Sequence, residues 1–178
     1  MIAGGFGTAW TFWAASGMTA TAATAARIVG VVIGVLVVAG AGRRWHAARS
    51  DGGAPPHRSA SMFGSRGYQL SVTAEVVALF VGNAVLGATG HSAYVAAWTA
   101  LVVGVHFLGF GRLFTPMFYW LAAAFLVAAL AGAAAGAASG STRTVEASTG
   151  LIAAASLFLA GGWGLLPLDS SGTRATRS

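Results

Sequence analysis

The chain contains no cysteine. That excludes disulfides, iron–sulfur clusters, thiolate zinc sites and a cysteine nucleophile. Acids are almost as scarce: Asp51, Glu75, Glu146 and Asp169 are the only four. Charged residues make up 8% of the sequence, where a globular domain carries about 25%, so too few exist to cover a water-facing surface. Lysine is absent as well, and all ten basic residues are arginine. The sequence pI of 11.4 therefore reflects the shortage of acids. The arginines sit between apolar runs with no aromatic-studded polar surface beside them, so nucleic acid is not an expected partner. No arginine or lysine precedes the first apolar run, which is not how a cleaved signal peptide begins. The first segment is therefore expected to be retained, although a start at Met18 would delete it and leave the others intact.

What is abundant is hydrocarbon. The chain is 56% hydrophobic with a mean hydropathy of +0.74. A bilayer core about 30 Å thick needs about 20 apolar residues of helix, and the sequence divides into six such stretches, at 2–18, 25–41, 68–86, 93–110, 116–138 and 150–168. The expected fold is an all-α integral membrane bundle of six transmembrane helices. The weakly hydrophobic residues 17–26 mark the first fold-back, with Trp10 and Trp13 as bulky members of the span before it. Residues 42–67, rich in Gly, Pro, Ser and Arg and broken by Pro55 and Pro56, read as a polar loop. Residues 169–178 read as a disordered tail. Tyr94 and Trp98 introduce the fourth span as aromatics of the kind that sit at headgroup depth. Gly30 and Gly34, and then Gly132, Gly136 and Gly140, are spaced four apart, which puts each set on one helix face where a neighbouring backbone can come close.

Arginine bias sets the orientation. With six spans, Arg43, Arg44, Arg49, Arg58, Arg66, Arg112, Arg174 and Arg177 fall on one side and only Arg27 and Arg143 on the other. The positive-inside rule then places both termini in the cytoplasm, and the plasma (inner) membrane is the expected location. Arg43, Arg44, Arg49 and Arg66 are candidates for contact with lipid headgroups, at about 1 kcal/mol per arginine near the surface. Their ordinary role as topology determinants is the favoured reading.

Two ionisable side chains lie inside apolar runs, Glu75 in the third span and His106 in the fourth. A charge at mid-bilayer costs about 2.5–3.5 kcal/mol on insertion scales, so each needs a partner. Counted at 1.5 Å per residue, Glu75 lies ~10 Å and His106 ~7 Å from the same, cytoplasmic side. The two spans are joined by a short turn and are expected to be antiparallel neighbours. Ser71, Ala78, Gly82 and Asn83 share the helical face of Glu75, while Val76, Val77, Phe80 and Val81 do not. A Glu75–His106 hydrogen bond is therefore expected. Arg112 is within reach of the pair, and Asn83 lies further along the same groove. Such a pair serves as a proton or ion relay, as the polar floor of a substrate cavity, or, the favoured reading, as structural glue between helices.

Other chemistry finds little support. Gly40-Ala-Gly42 lacks the third glycine of a dinucleotide turn. His46, His57 and His91 lie in loops or at span edges, where they do not form the facing pair that haem ligation requires. No serine sits in a nucleophile elbow. No metal site, cofactor or enzymatic activity is expected.

The segment WTALVVGVHFLGFGRLF, preceded by the glutamate of YQLSVTAEVVALF, resembles a group of small multi-pass membrane proteins of high-GC bacteria with no assigned activity. The resemblance covers about 68–119, and its most specific part is VVGVHF followed by an arginine near the membrane exit. It departs from the group where Gly109 and Gly111 replace a proline and an alanine. The resemblance implies a Glu75 and His106 pairing and no substrate. The expected role is structural or interactive, with membrane lipids and a membrane partner or second copy as partners. The alternative is a small proton-coupled carrier, or carrier subunit, using Glu75 and His106.

Overall fold

The computed structural model describes residues 2–50 and 66–165. Six α-helices follow one another: α1 (Ile2–Ser16), α2 (Ala20–Ser50), α3 (Arg66–Ala88), α4 (Val95–Leu113), α5 (Met117–Ser139) and α6 (Thr142–Trp163). A 3₁₀ turn, Ser92–Tyr94, leads into α4. No strand occurs among the described residues. Five helices, α2 to α6, are long and apolar enough to cross a membrane. The fold is thus all-α and suited to a bilayer. The prolines of the expected loop, Arg58 and the expected tail lie outside the described residues.

Several helix ends differ from those read off hydropathy. α1 has 15 residues, about 22 Å at 1.5 Å per residue, and is shorter than the span expected there. α2 starts at Ala20, inside the expected fold-back, because alanine is the best helix former and the Thr24 hydroxyl bonds the Ala20 carbonyl of its own helix at 3.0 Å. The helix then continues through Arg43, Arg44 and Arg49 to Ser50, where a loop was expected. Likewise α6 begins at Thr142, eight residues before the apolar run, with Ser148 bonding Thr144 O at 2.7 Å. Leaving the hydrocarbon does not end a helix whose backbone bonds are intact. The glycines at 109 and 111 do not end α4 either; it stops at Leu113, just before Thr115-Pro116, where a proline disfavours helix in the residue preceding it.

Successive helices are antiparallel, and the packing order across the molecule is α2, α1, α6, α5, α4, α3. The core lies where α1, α4, α5 and α6 meet: Phe125 is fully buried, with Trp10 edge-on at 5.5 Å and Phe107 perpendicular at 5.3 Å. Small residues let these helices close. The expected glycine faces are filled from within the chain: Gly30 and Gly34 receive Thr11 and Thr8 of α1, and Gly132 and Gly136 receive Thr149 and Val145 of α6. Gly140 instead terminates α5 in the left-handed region at φ 63°, its N–H bonding Gly136 O at 2.8 Å.

α3 is the exception. It packs on α4 and the 3₁₀ turn and has no buried residue. Leu70, Val77, Phe80 and Val81 are exposed along it.

Candidate functional site

The seam between α3 and α4 is built on the small and polar stripe of α3. Gly67 faces Leu113, Ser71 faces Gly109 and Gly82 faces Trp98, an antiparallel register that sets Glu75 opposite His106. His106 Nδ1 lies 3.3 Å from Glu75 Oε2 and 3.3 Å from Ser71 Oγ. With its hydrogen on Nδ1 the imidazole donates to the carboxylate, and the serine hydroxyl supplies a further polar contact. The ring is held from the other side by Phe110, edge-on at 4.1 Å between centroids. Phe110 in turn belongs to an aromatic cluster with Tyr68, Phe107, Phe114 and Phe118.

Further along the seam the Trp98 indole N–H donates to Ala78 O at 3.2 Å. The indole fills the notch left by Gly82, where a Cβ would fall 2.0 Å from Nε1. Trp98, expected as an entry aromatic of the fourth span, also makes a cross-helix bond. The glycine four residues after Ala78 was the signal for this, since a missing side chain beside a bare carbonyl leaves room for an indole.

A groove of about 390 Å³ opens between the two helices over the pair, walled by Ala74 and Ala78 on α3 and by Leu101, Val102 and Val105 on α4. A second groove, of about 590 Å³, shares Ala74, Ala78 and Trp98 with it and continues to Val85 and Leu86. Only Ser71, Glu75 and His106 bring side-chain oxygen or imidazole nitrogen to the lining, all at one end.

The other candidate residues lie apart from the pair. Arg112 is exposed in the last turn of α4 and does not line the groove. Asn83 lies on α3, two turns beyond Glu75, and its Oδ1 is buried with no partner among the described residues. Arg43, Arg44 and Arg66 are all exposed, on α2 and at the first turn of α3. Arg44 Nη1 donates to Gly164 O at 2.7 Å, so a cation caps the carbonyl end of α6, where the helix dipole favours it. No group of three His, Asp or Glu side chains converges among the described residues.

No protein-family model, curated protein or solved structure matches the chain. The chemistry of this seam must therefore be judged from its own geometry.

Proposed function

We propose that the chain is a six-span plasma-membrane protein with both termini in the cytoplasm, whose role is structural or interactive and whose Glu75–His106 pair locks α3 onto the bundle. The short α1 counts as a crossing because it runs alongside α6 for its whole length, from Ala3 near Gly161 to Gly17 near Arg143. A short span is accommodated by local thinning of the bilayer. Arg43, Arg44, Arg66 and Arg112 gather at one end of the bundle and Arg27 and Arg143 at the other, which supports the orientation.

The observation that carries the structural reading is the isolation of the pair. Among the described residues its polar neighbour is Ser71, and beyond it the groove is walled by aliphatic side chains and one indole. A proton-coupled carrier needs ionisable or hydrated groups continuing across the membrane on several helices. No further ionisable side chain lines the grooves among the described residues, and Asn83 is a lone amide on α3. A lock needs only the two partners and the ring behind them.

The test is Glu75→Gln in the full chain. Purified protein should show a lower unfolding temperature in detergent, and proteoliposomes should show no pH-driven flux with either form. A pH-coupled flux in the wild type that Glu75→Gln abolishes, with the unfolding temperature unchanged, would establish the carrier instead.

A further inference from the structure

We propose that the α3–α4 seam is a binding site for a single-chain membrane amphiphile with a small, uncharged hydroxyl head, which hydrogen-bonds to Glu75 and Ser71 while its tail lies along the groove toward Leu86. The two grooves share Ala74, Ala78 and Trp98 and so form one trough. From Ser71 to Leu86 it runs about 22 Å at 1.5 Å per residue. One end is polar, and the remainder is hydrocarbon and indole. That is the polarity profile of an amphiphile.

Dimensions separate a lipid tail from a helix. A hydrocarbon chain about 4.5 Å wide at van der Waals contact fills roughly 350 Å³ over this length, so it fits within a trough made of grooves of 390 and 590 Å³ with room left over. A helix about 10 Å across fills roughly 1,700 Å³ over the same length. It would rest across the mouth and leave the floor empty.

The head chemistry follows from charge and depth. The Glu75 side chain keeps 19% of its surface accessible, against 7% for His106, so part of the carboxylate faces the groove. An acceptor turned toward hydrocarbon is costly until a donor covers it. A hydroxyl donates to a carboxylate, and a phosphate is repelled by it. Glu75 also lies ~14 Å from the start of α3 and His106 ~10 Å from the end of α4, beneath the level a phosphate holds, so the head must be small enough to sink.

The inference rests on α3 and α4 both crossing the bilayer, which cysteine labelling of the adjoining turns tests separately. The probe is a long-chain alcohol carrying a mid-chain diazirine, added to the full chain in phosphatidylcholine nanodiscs, irradiated and mapped by peptide mass spectrometry. Labelling should concentrate on α3 and α4 peptides and be displaced by unlabelled alcohol, with a tenfold excess of phosphatidylglycerol leaving it in place. Ala74→Trp, at a lipid-facing position where the two grooves meet, should reduce the labelling about tenfold without lowering the unfolding temperature. Leu101→Trp obstructs the trough from the opposite wall and should act alike, so the test survives if one variant fails to fold. Glu75→Ala should weaken displacement by the alcohol about tenfold. Labelling spread evenly over lipid-facing helices such as α2 and unchanged by either tryptophan would overturn the proposal. So would displacement by phosphatidylglycerol as effective as that by the alcohol, or cross-links joining two copies through this seam.

Discussion

Gly132 on α5 and Thr149 on α6 make the tightest of the small-residue contacts, and they offer a direct test of close packing as the force that assembles the bundle. A Cβ added at Gly132 would fall 1.9 Å from Thr149 Oγ1, with Thr149 Cβ at 3.3 Å and Ala97 Cβ at 3.5 Å. Ordinary contact begins near 3.4 Å, so Gly132→Ala must open the α5–α6 interface by about 1.5 Å or force Thr149 out of its rotamer. Overpacking of this kind costs about 1–3 kcal/mol, and alanine's better helix propensity returns at most about 1 kcal/mol. A net loss of about 1–2 kcal/mol is expected. Thr149→Ala should be nearly neutral alone, because its hydroxyl is fully buried with no partner among the described residues. Losing that orphaned group offsets the lost methyl packing. In the double variant only the 3.3 Å contact needs relief, a few tenths of an ångström, so most of the lost stability should return. The assay is a double-mutant cycle from reversible SDS unfolding of the full chain in mixed micelles. A coupling energy of about 1–2 kcal/mol is expected. Simple additivity, with Gly132→Ala as harmless as Thr149→Ala, would mean that α5 and α6 are not held at this distance.

Because the chain has no cysteine, single replacements report topology directly. Ser92→Cys and Thr142→Cys should react with a membrane-impermeant maleimide in intact cells, and Thr115→Cys only after permeabilisation; labelling of all three alike would contradict the six-span orientation. Trp98→Phe removes the indole N–H that Ala78 O accepts, and it should cost about 0.6–1.7 kcal/mol, the range for interhelical bonds in bilayers. Hydrogen exchange should rise in α3 and not in α6. Gly140→Ala places a Cβ at φ 63°, which costs roughly 1–2 kcal/mol in the left-handed region, and it should lower the unfolding temperature although a Cβ there would meet no atom within 4 Å.

The contact at the α3–α4 seam follows from depth, a shared small and polar helical face and a short connecting turn. Two ionisable groups in neighbouring apolar runs, counted from the same surface, have to meet, and the structure sets Glu75 and His106 3.3 Å apart. Helix ends are harder to read, because hydropathy measures where lipid stops and backbone bonding decides where a helix stops. Residues 43–50 of α2 and 142–149 of α6 are polar and still helical. Trp98 shows a second limit: an amphipathic ring suggests an interface, and only the opposing Gly82 discloses its cross-helix bond. The glycine spacings announce close approach but not the partner. That depends on which helices neighbour each other, information that no single segment holds.

These differences divide the molecule into two kinds of attachment. α1, α4, α5 and α6 meet through glycines, alanines and a buried aromatic core, and most of their hydroxyls bond carbonyls of their own helix, as Thr8, Thr11, Thr99 and Ser148 do. Their cohesion is dispersion summed over many contacts, and one truncation weakens it by degrees. α3 buries no residue, and its contacts with α4 include the Glu75–His106 hydrogen bond, the Trp98 indole bond, Ser71 and the stacking of Tyr68 on Phe110. Hydrocarbon is as good a solvent for its valines as another helix would be, so its polar bonds and the packing of Tyr68, Gly67 and Gly82 at the seam must supply its register and its affinity for α4. α3 is therefore the span with the lowest free energy of detachment, and local opening should begin there. A molecule filling the trough beside Glu75 would act on that opening equilibrium directly, since it would touch both walls only while α3 is docked.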